Sequence, residues 1–139
     1  MRLSRFVIGA AFLCVAVVPL GGSAHATDLT GSWTTDLDAC DKVFARDGNN
    51  VSFRQDSDMY GSGFIIEGWQ IRSPTARCRV TRRIEDNDVM HMIASCATDI
   101  MYQNMQFSVK ILGDGKVSRI FPGVEGMELT YYRCPSQPK

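Results

Sequence analysis

The stretch "RSPTARCRVTRR" carries Arg72, Arg77, Arg79, Arg82 and Arg83 with no acid among them. Guanidinium groups spaced along one strand can present paired N–H donors to a carboxylate or a phosphate. "ARCRVTRRI" and "VMHMIASCA" flank the turn-rich "EDND", so they read as two antiparallel strands. With Asp86, Asn87 and Asp88 as the loop, Cys78 faces Cys96, Val80 faces Ala94 and Ile84 faces Met90. That register places Arg77, Arg79 and Arg83 on the opposite face, with His91 across from Arg83, as a candidate docking stripe. Arg82 then points to the apolar face, where it needs a polar partner. A solvated outer strand face explains the same arginines without a partner. The aspartates between Thr27 and Asp58 offer intramolecular pairing as a further alternative.

Asp56, Asp58, Gly61 and Glu67 in "DSDMYGSGFIIE" match oxygen-ligand and glycine positions of a calcium-binding loop. Tyr60, however, stands where a fifth-position ligand belongs, and strand-like "VSFRQ" and "GWQIR" replace the flanking helices. The expected structure is therefore a polar turn, with calcium at Asp56, Asp58 and Glu67 as the competing reading and no metal as the leading one. Catalysis lacks a constellation. Downstream of residue 26 the chain has a single histidine, His91, and no motif places a nucleophile or acid beside it. A non-catalytic protein without a cofactor is the expectation.

The elements around these residues are set by export. Arg2 and Arg5 precede an apolar run from Phe6 to Leu20, and Ala24-His25-Ala26 ends it in the manner of a cleaved signal peptide over residues 1–26. The run is shorter than the ~20 residues a membrane-spanning helix needs. Residues 27–139 then form a single domain with 13 basic and 15 acidic side chains, a balance that implies no nucleic-acid partner and leaves no membrane span. Periplasmic or secreted localisation follows.

Cys40, Cys78, Cys96 and Cys134 remain, and four cysteines in an exported chain read as two disulfides. The hairpin register selects Cys78 with Cys96, which leaves Cys40 with Cys134. There is no C-x-x-C for redox chemistry, and no cysteine has a neighbouring cysteine or histidine to share zinc.

Short segments rich in β-branched and aromatic residues alternate with "DGNN", "GSG", "EDND", "GDGK" and "PGVEG". This pattern predicts an all-β antiparallel meander of about eight strands, closed as a small barrel or folded as a sandwich. "TDLDACDKVFARDG" predicts one short helix ending near Gly48, with a strand at Lys42 to Arg46 as the alternative. Met90, Met92, Met101 and Met105, together with Tyr60, Phe64, Trp69, Phe107, Tyr131 and Tyr132, could line a cavity or fill it.

"LTGSWTTDL", with Gly31-x-Trp33 near the start of the domain, resembles the opening of calycin barrels: lipocalins, fatty-acid-binding proteins and avidins. Lipocalin-like bacterial metalloprotease inhibitors begin with a similar stretch. The resemblance implies that Trp33 packs at the closed end of a barrel against an arginine of the last strand, a role that Arg133 in "LTYYRC" matches. As a whole the chain also resembles small exported four-cysteine proteins of alphaproteobacteria, a likeness that implies no activity. The leading expectation is therefore docking on a protein partner, as an inhibitor or envelope-stress factor; the alternative, which the calycin resemblance implies, is carrying a small hydrophobic ligand.

Overall fold

A computed structural model describes residues 27–136, so the expected signal peptide lies outside the described residues. Eight antiparallel strands close into a barrel: β1 (Gly31–Thr34), β4 (Gly63–Glu67), β5 (Gln70–Arg72), β6 (Arg77–Asp86), β7 (Val89–Ala97), β8 (Tyr102–Gly113), β9 (Lys116–Ile120) and β10 (Glu128–Arg133). Each pairs with its neighbour in sequence, and β1 closes the ring by pairing with both β10 and β4. Closure leaves no unpaired barrel edge. The period-2 pattern shows most plainly in β7, where Met90, Met92, Ala94 and Cys96 are buried and the residues between them are more open.

Between β1 and β4 the chain leaves the barrel. It makes a 3-10 turn (Leu37–Ala39), a one-turn helix α1 (Cys40–Val43), and a separate hairpin of β2 (Phe44–Asp47) and β3 (Asn50–Phe53). The predicted helix and its competing strand thus both exist, one after the other. Helix α1 stops at Val43 because Phe44 turns extended at φ −115° and ψ 139°. Gly48, expected as the helix stop, instead supplies a left-handed φ of 59° at the β2–β3 turn. Ala39, Val43 and Phe44 pack with Ile65 and Cys134 in a second apolar cluster on the outside of the barrel. Arg46 binds Ser32 Oγ at 2.9 Å, and Arg72 binds the Val51 carbonyl at 3.0 Å, tying the excursion to the wall.

Both expected disulfides are present. Cys40–Cys134 fastens α1 to the end of β10, across a sequence separation of 94. Cys78–Cys96 links β6 to β7 on the inner face.

The hairpin register departs from expectation at one residue. Cys78 faces Cys96 and Val80 faces Ala94, but the pairing shifts between Val80 and Arg82, so that Arg83 faces Met92 and Ile84 faces His91. The turn is Asn87–Asp88 alone, with Asn87 at φ 54°, rather than a three-residue loop. A turn one residue shorter offsets the register, and a bulge at Thr81 absorbs the difference. The Thr81 hydroxyl donates to the Ile93 carbonyl at 3.1 Å. Because a one-residue shift swaps faces, Arg82 and Arg83 exchange the sides assigned to them.

Candidate functional site

Side chains fill the barrel from one end only. Trp33, Ile66, Val80, Met90, Met92, Val109 and Val117 form a packed lower core. At the closed end the guanidinium of Arg133 lies 4.7 Å from the centre of the Trp33 ring. Trp33 Nε1 donates to the Leu29 carbonyl at 2.9 Å, and Arg133 Nη2 donates to the Asp28 carbonyl. The segment before β1 is thereby folded across the barrel floor. Asp28 is held below its ordinary carboxylate value chiefly by hydrogen bonds from Thr30, with the nearby charges of Arg133 and Arg83 adding to the effect against a small desolvation cost.

The other end is open and holds a cavity of about 760 Å³. Its inner walls are Phe64, Ile71, the Cys78–Cys96 pair, Met105, Phe107 and Tyr131. Phe64 sits at the centre of the aromatic wall, 5.1 Å from Phe107 edge to face and 4.7 Å from Tyr131. The Tyr131 hydroxyl shares a 2.9 Å hydrogen bond with Ser62, which satisfies a phenol that would otherwise be stranded in an apolar wall. Asp58 and Gly61, Ser73 to Ala76, and Thr98 form the rim. Met59, Ile100 and Val124, on loops around this end, are exposed large apolar residues.

One charged side chain enters the cavity wall, and the sequence reading missed it. Arg119 faces inward on β9, two residues after buried Val117 and opposite Val109 and Leu129. Its guanidinium carbon lies 4.7 Å from the ring centres of both Phe107 and Phe121. Among the described residues it has no hydrogen-bond or ion-pair partner: the ion pairs are Arg72–Glu67 at 3.0 Å and Lys110–Asp88 at 3.7 Å. The alternation in "KVSRIF" was the available signal, because Arg119 must share the face of Val117 on any strand through both.

The arginine stripe is rearranged by the bulge. Arg77, Arg79 and Arg82 are exposed on the outer face, opposite Ala97, Ser95 and Ile93. Arg83 is turned inward at the closed end, with its guanidinium 4.7 Å from the Trp69 ring centre and a hydrogen bond to the Gly68 carbonyl. His91 lies on the outer face, but across from Ile84 rather than Arg83, and it shares a 2.8 Å hydrogen bond with Ser108. The stripe of Arg77, Arg79 and Arg83 beside His91 is therefore not assembled.

Nor are the calcium candidates. Asp56 caps a 3-10 turn (Ser57–Tyr60) in a left-handed conformation at φ 58°, and Asp58 lies on the rim. Glu67 ends β4 four residues beyond Gly63, a run of ~13 Å toward the closed end, where it pairs with Arg72. Strand formation through "GFIIE" is what separates the would-be ligands. Among the described residues no group of three or more His, Cys, Asp or Glu side chains is placed to hold a metal ion.

The two disulfides point to an oxidising, extracytoplasmic environment, and among the described residues no helix is long and apolar enough to cross a membrane. No protein-family model matches the chain, and no curated protein or solved structure matches it.

Proposed function

We propose that this protein is a non-catalytic, exported carrier that binds a small hydrophobic ligand in the open half of its barrel, in the periplasm or after secretion. The cavity of about 760 Å³ carries the reading. Ligand sites are commonly apolar hollows of ~300 to 1,000 Å³ with a few fixed polar groups. Here aromatic, aliphatic and sulfur-bearing walls meet such groups in the Ser62–Tyr131 pair and Arg119. The packed floor around Trp33 and Arg133 closes the barrel beneath the cavity.

The test is direct. The purified protein, with both disulfides formed, is titrated with the neutral dye Nile red and checked by native mass spectrometry for copurifying small molecules. Saturable dye fluorescence, lost when Phe64→Asp and Met105→Asp are introduced into the wall, supports the carrier reading. Absence of saturable binding rejects it.

Docking on a protein partner keeps one favourable observation. Arg77, Arg79 and Arg82 are exposed on the outer face with no ion-pair partner among the described residues. Affinity capture from envelope extract, compared with an Arg79→Glu, Arg82→Glu variant, separates this reading from the carrier one. The outer face would lose its partner, whereas dye binding in the cavity would be unchanged.

A further inference from the structure

A second hollow lies outside the barrel, and its chemistry differs from that of the cavity. We infer that the groove between β3 and the corner joining β5 to β6 takes an extended peptide segment of a partner protein. The segment adds to β3 as a third strand and sets an acidic side chain against Arg77. This site rests on the docking reading and is independent of the cavity.

Hairpin β2–β3 is separate from the barrel sheet, so β3 has one paired edge and one open edge. The Arg54 N–H donates to the Val43 carbonyl at 2.9 Å, which makes Ala45–Ser52 and Asp47–Asn50 the hydrogen-bonded pairs of the ladder. Val51 and Phe53 therefore turn their main-chain groups away from β2. The Val51 carbonyl bears this out by accepting from Arg72 Nη2 at 3.0 Å. Among the described residues, the Val51 N–H and both main-chain groups of Phe53 have no partner. Open strand edges are usually guarded by lysine, proline or another charge, and "NVSF" carries none of these.

That edge borders a groove of about 480 Å³. Opposite it lie Ser73 to Arg77 and Ala97 to Asp99, with small apolar side chains at Pro74, Ala76 and Ala97. The four residues of β3 span ~13 Å, room for about four residues of a paired strand. A single extended chain meets the unmatched groups of β3 along one edge and lays alternate side chains on the small apolar ones. A second copy of this protein fits less well, because its own β3 is flanked by the same opposing wall. Charge selects among peptides. Arg77 is exposed, has no hydrogen-bond or ion-pair partner among the described residues, and leads along the outer face of β6 to Arg79 and Arg82. Arg72 is already paired with Glu67, and Asp99 is the one acid among the lining residues.

The experiment titrates wild-type protein with fluorescein-labelled hexapeptides of alternating valine and threonine, each carrying one glutamate, placed at each position in turn. At least one should bind saturably, and its lysine counterpart, or the Arg77→Glu variant, should bind about tenfold more weakly. Methylating the amide nitrogens along one edge of that peptide should abolish binding, whereas methylating the other edge should leave it within about threefold, since only one edge pairs with β3. Amide exchange followed by NMR should slow at Val51 and Phe53 when the peptide is bound. Circular dichroism and urea unfolding establish that Arg77→Glu is folded; if it is not, the methylated peptides and the exchange rates of wild type decide alone. No saturable binding by any peptide, equal loss from methylation of either edge, or unchanged exchange at Val51 and Phe53 overturns the site. Partner capture that still depends on Arg79 and Arg82 would then keep docking on the outer face, and its failure as well would remove the docking reading.

Discussion

Arg83 lies with its guanidinium 4.7 Å from the centre of the Trp69 ring, at the closed end of the barrel, while Arg82 beside it is exposed on the outer wall. This division predicts opposite sensitivities along one arginine-rich strand. Arg83→Glu removes the ring contact and the bond to Gly68 and brings a carboxylate toward Asp28, so it should cost about 1 to 3 kcal/mol of stability. Arg79→Glu, on the exposed face, should stay within about 0.5 kcal/mol of wild type. Urea unfolding followed by tryptophan fluorescence reads both. The reverse ranking would restore the unbulged register, with Arg83 outside.

Much of the framework could be read from residue order, and the exceptions have definite causes. Cys78 faces Cys96 as the hairpin pattern required, because alternation of apolar residues is a local property of each strand. The bulge at Thr81 is not local: it reconciles a two-residue turn at Asn87–Asp88 with disulfide pairing nine residues earlier, and neither end alone reveals it. The stretch from Leu37 to Asp47 fitted helix and strand because it contains both, with the change at Phe44 set by burial against Ile65 rather than by propensity. Arg119 was legible through its spacing from Val117, but its isolation was not, since the contacts to Phe107 and Phe121 depend on barrel closure. Whether aromatics line a cavity or fill it is likewise decided by the global arrangement of strands. Phe64, Phe107 and Tyr131 form the cavity wall, whereas Trp69 lies outside with 54% of its surface exposed.

The two disulfides should separate in their effects. Cys40→Ala with Cys134→Ala opens a loop of sequence separation 94, against 18 for the Cys78–Cys96 pair. The chain-entropy model assigns losses of about 4 to 5 kcal/mol to the first and about 3 kcal/mol to the second. Cys78 and Cys96 also line the cavity, so replacing them should alter Nile red affinity, while removing Cys40–Cys134 should not alter it under folding conditions. Paired urea titrations and dye titrations check this, and equal dye affinities in all three proteins would remove the disulfide from the cavity wall.

Asp28 predicts a small acid-sensitive contribution. Hydrogen bonds from Thr30, aided by Arg133 and Arg83, depress its folded-state pKa below the ordinary 3.8. A depressed carboxylate stabilises the fold above the unfolded-state pKa, and that contribution fades as pH falls through the folded-state value. Asp28→Asn should therefore be less stable than wild type at pH 7, with the gap narrowing below pH ~4 as the unfolded carboxylate protonates. Because Asp28 is largely exposed, solvent and salt screen its interactions and the gap should be small. Urea midpoints measured from pH 7 down to pH 2.5 decide the matter; a gap that widens in acid would contradict the assignment.

Gly63 tests how the excursion between β1 and β4 is seated on the barrel. A Cβ added there would lie 3.1 Å from each of Phe44 Cζ, Val43 Cγ1 and the Trp33 carbonyl oxygen. The two side-chain contacts belong to the second apolar cluster, and the carbonyl belongs to β1, paired with β4 in the barrel wall. Neither side can yield without disturbing the other, because the excursion is fastened through Cys40–Cys134 and the wall through its hydrogen bonds. Overpacking of this kind costs about 1 to 3 kcal/mol. Gly63→Ala should therefore lower the urea midpoint, and adding Phe44→Leu should recover part of the loss by opening space next to the new methyl group. Additive destabilisation by the two changes would mean that the excursion does not press on β4 at this glycine.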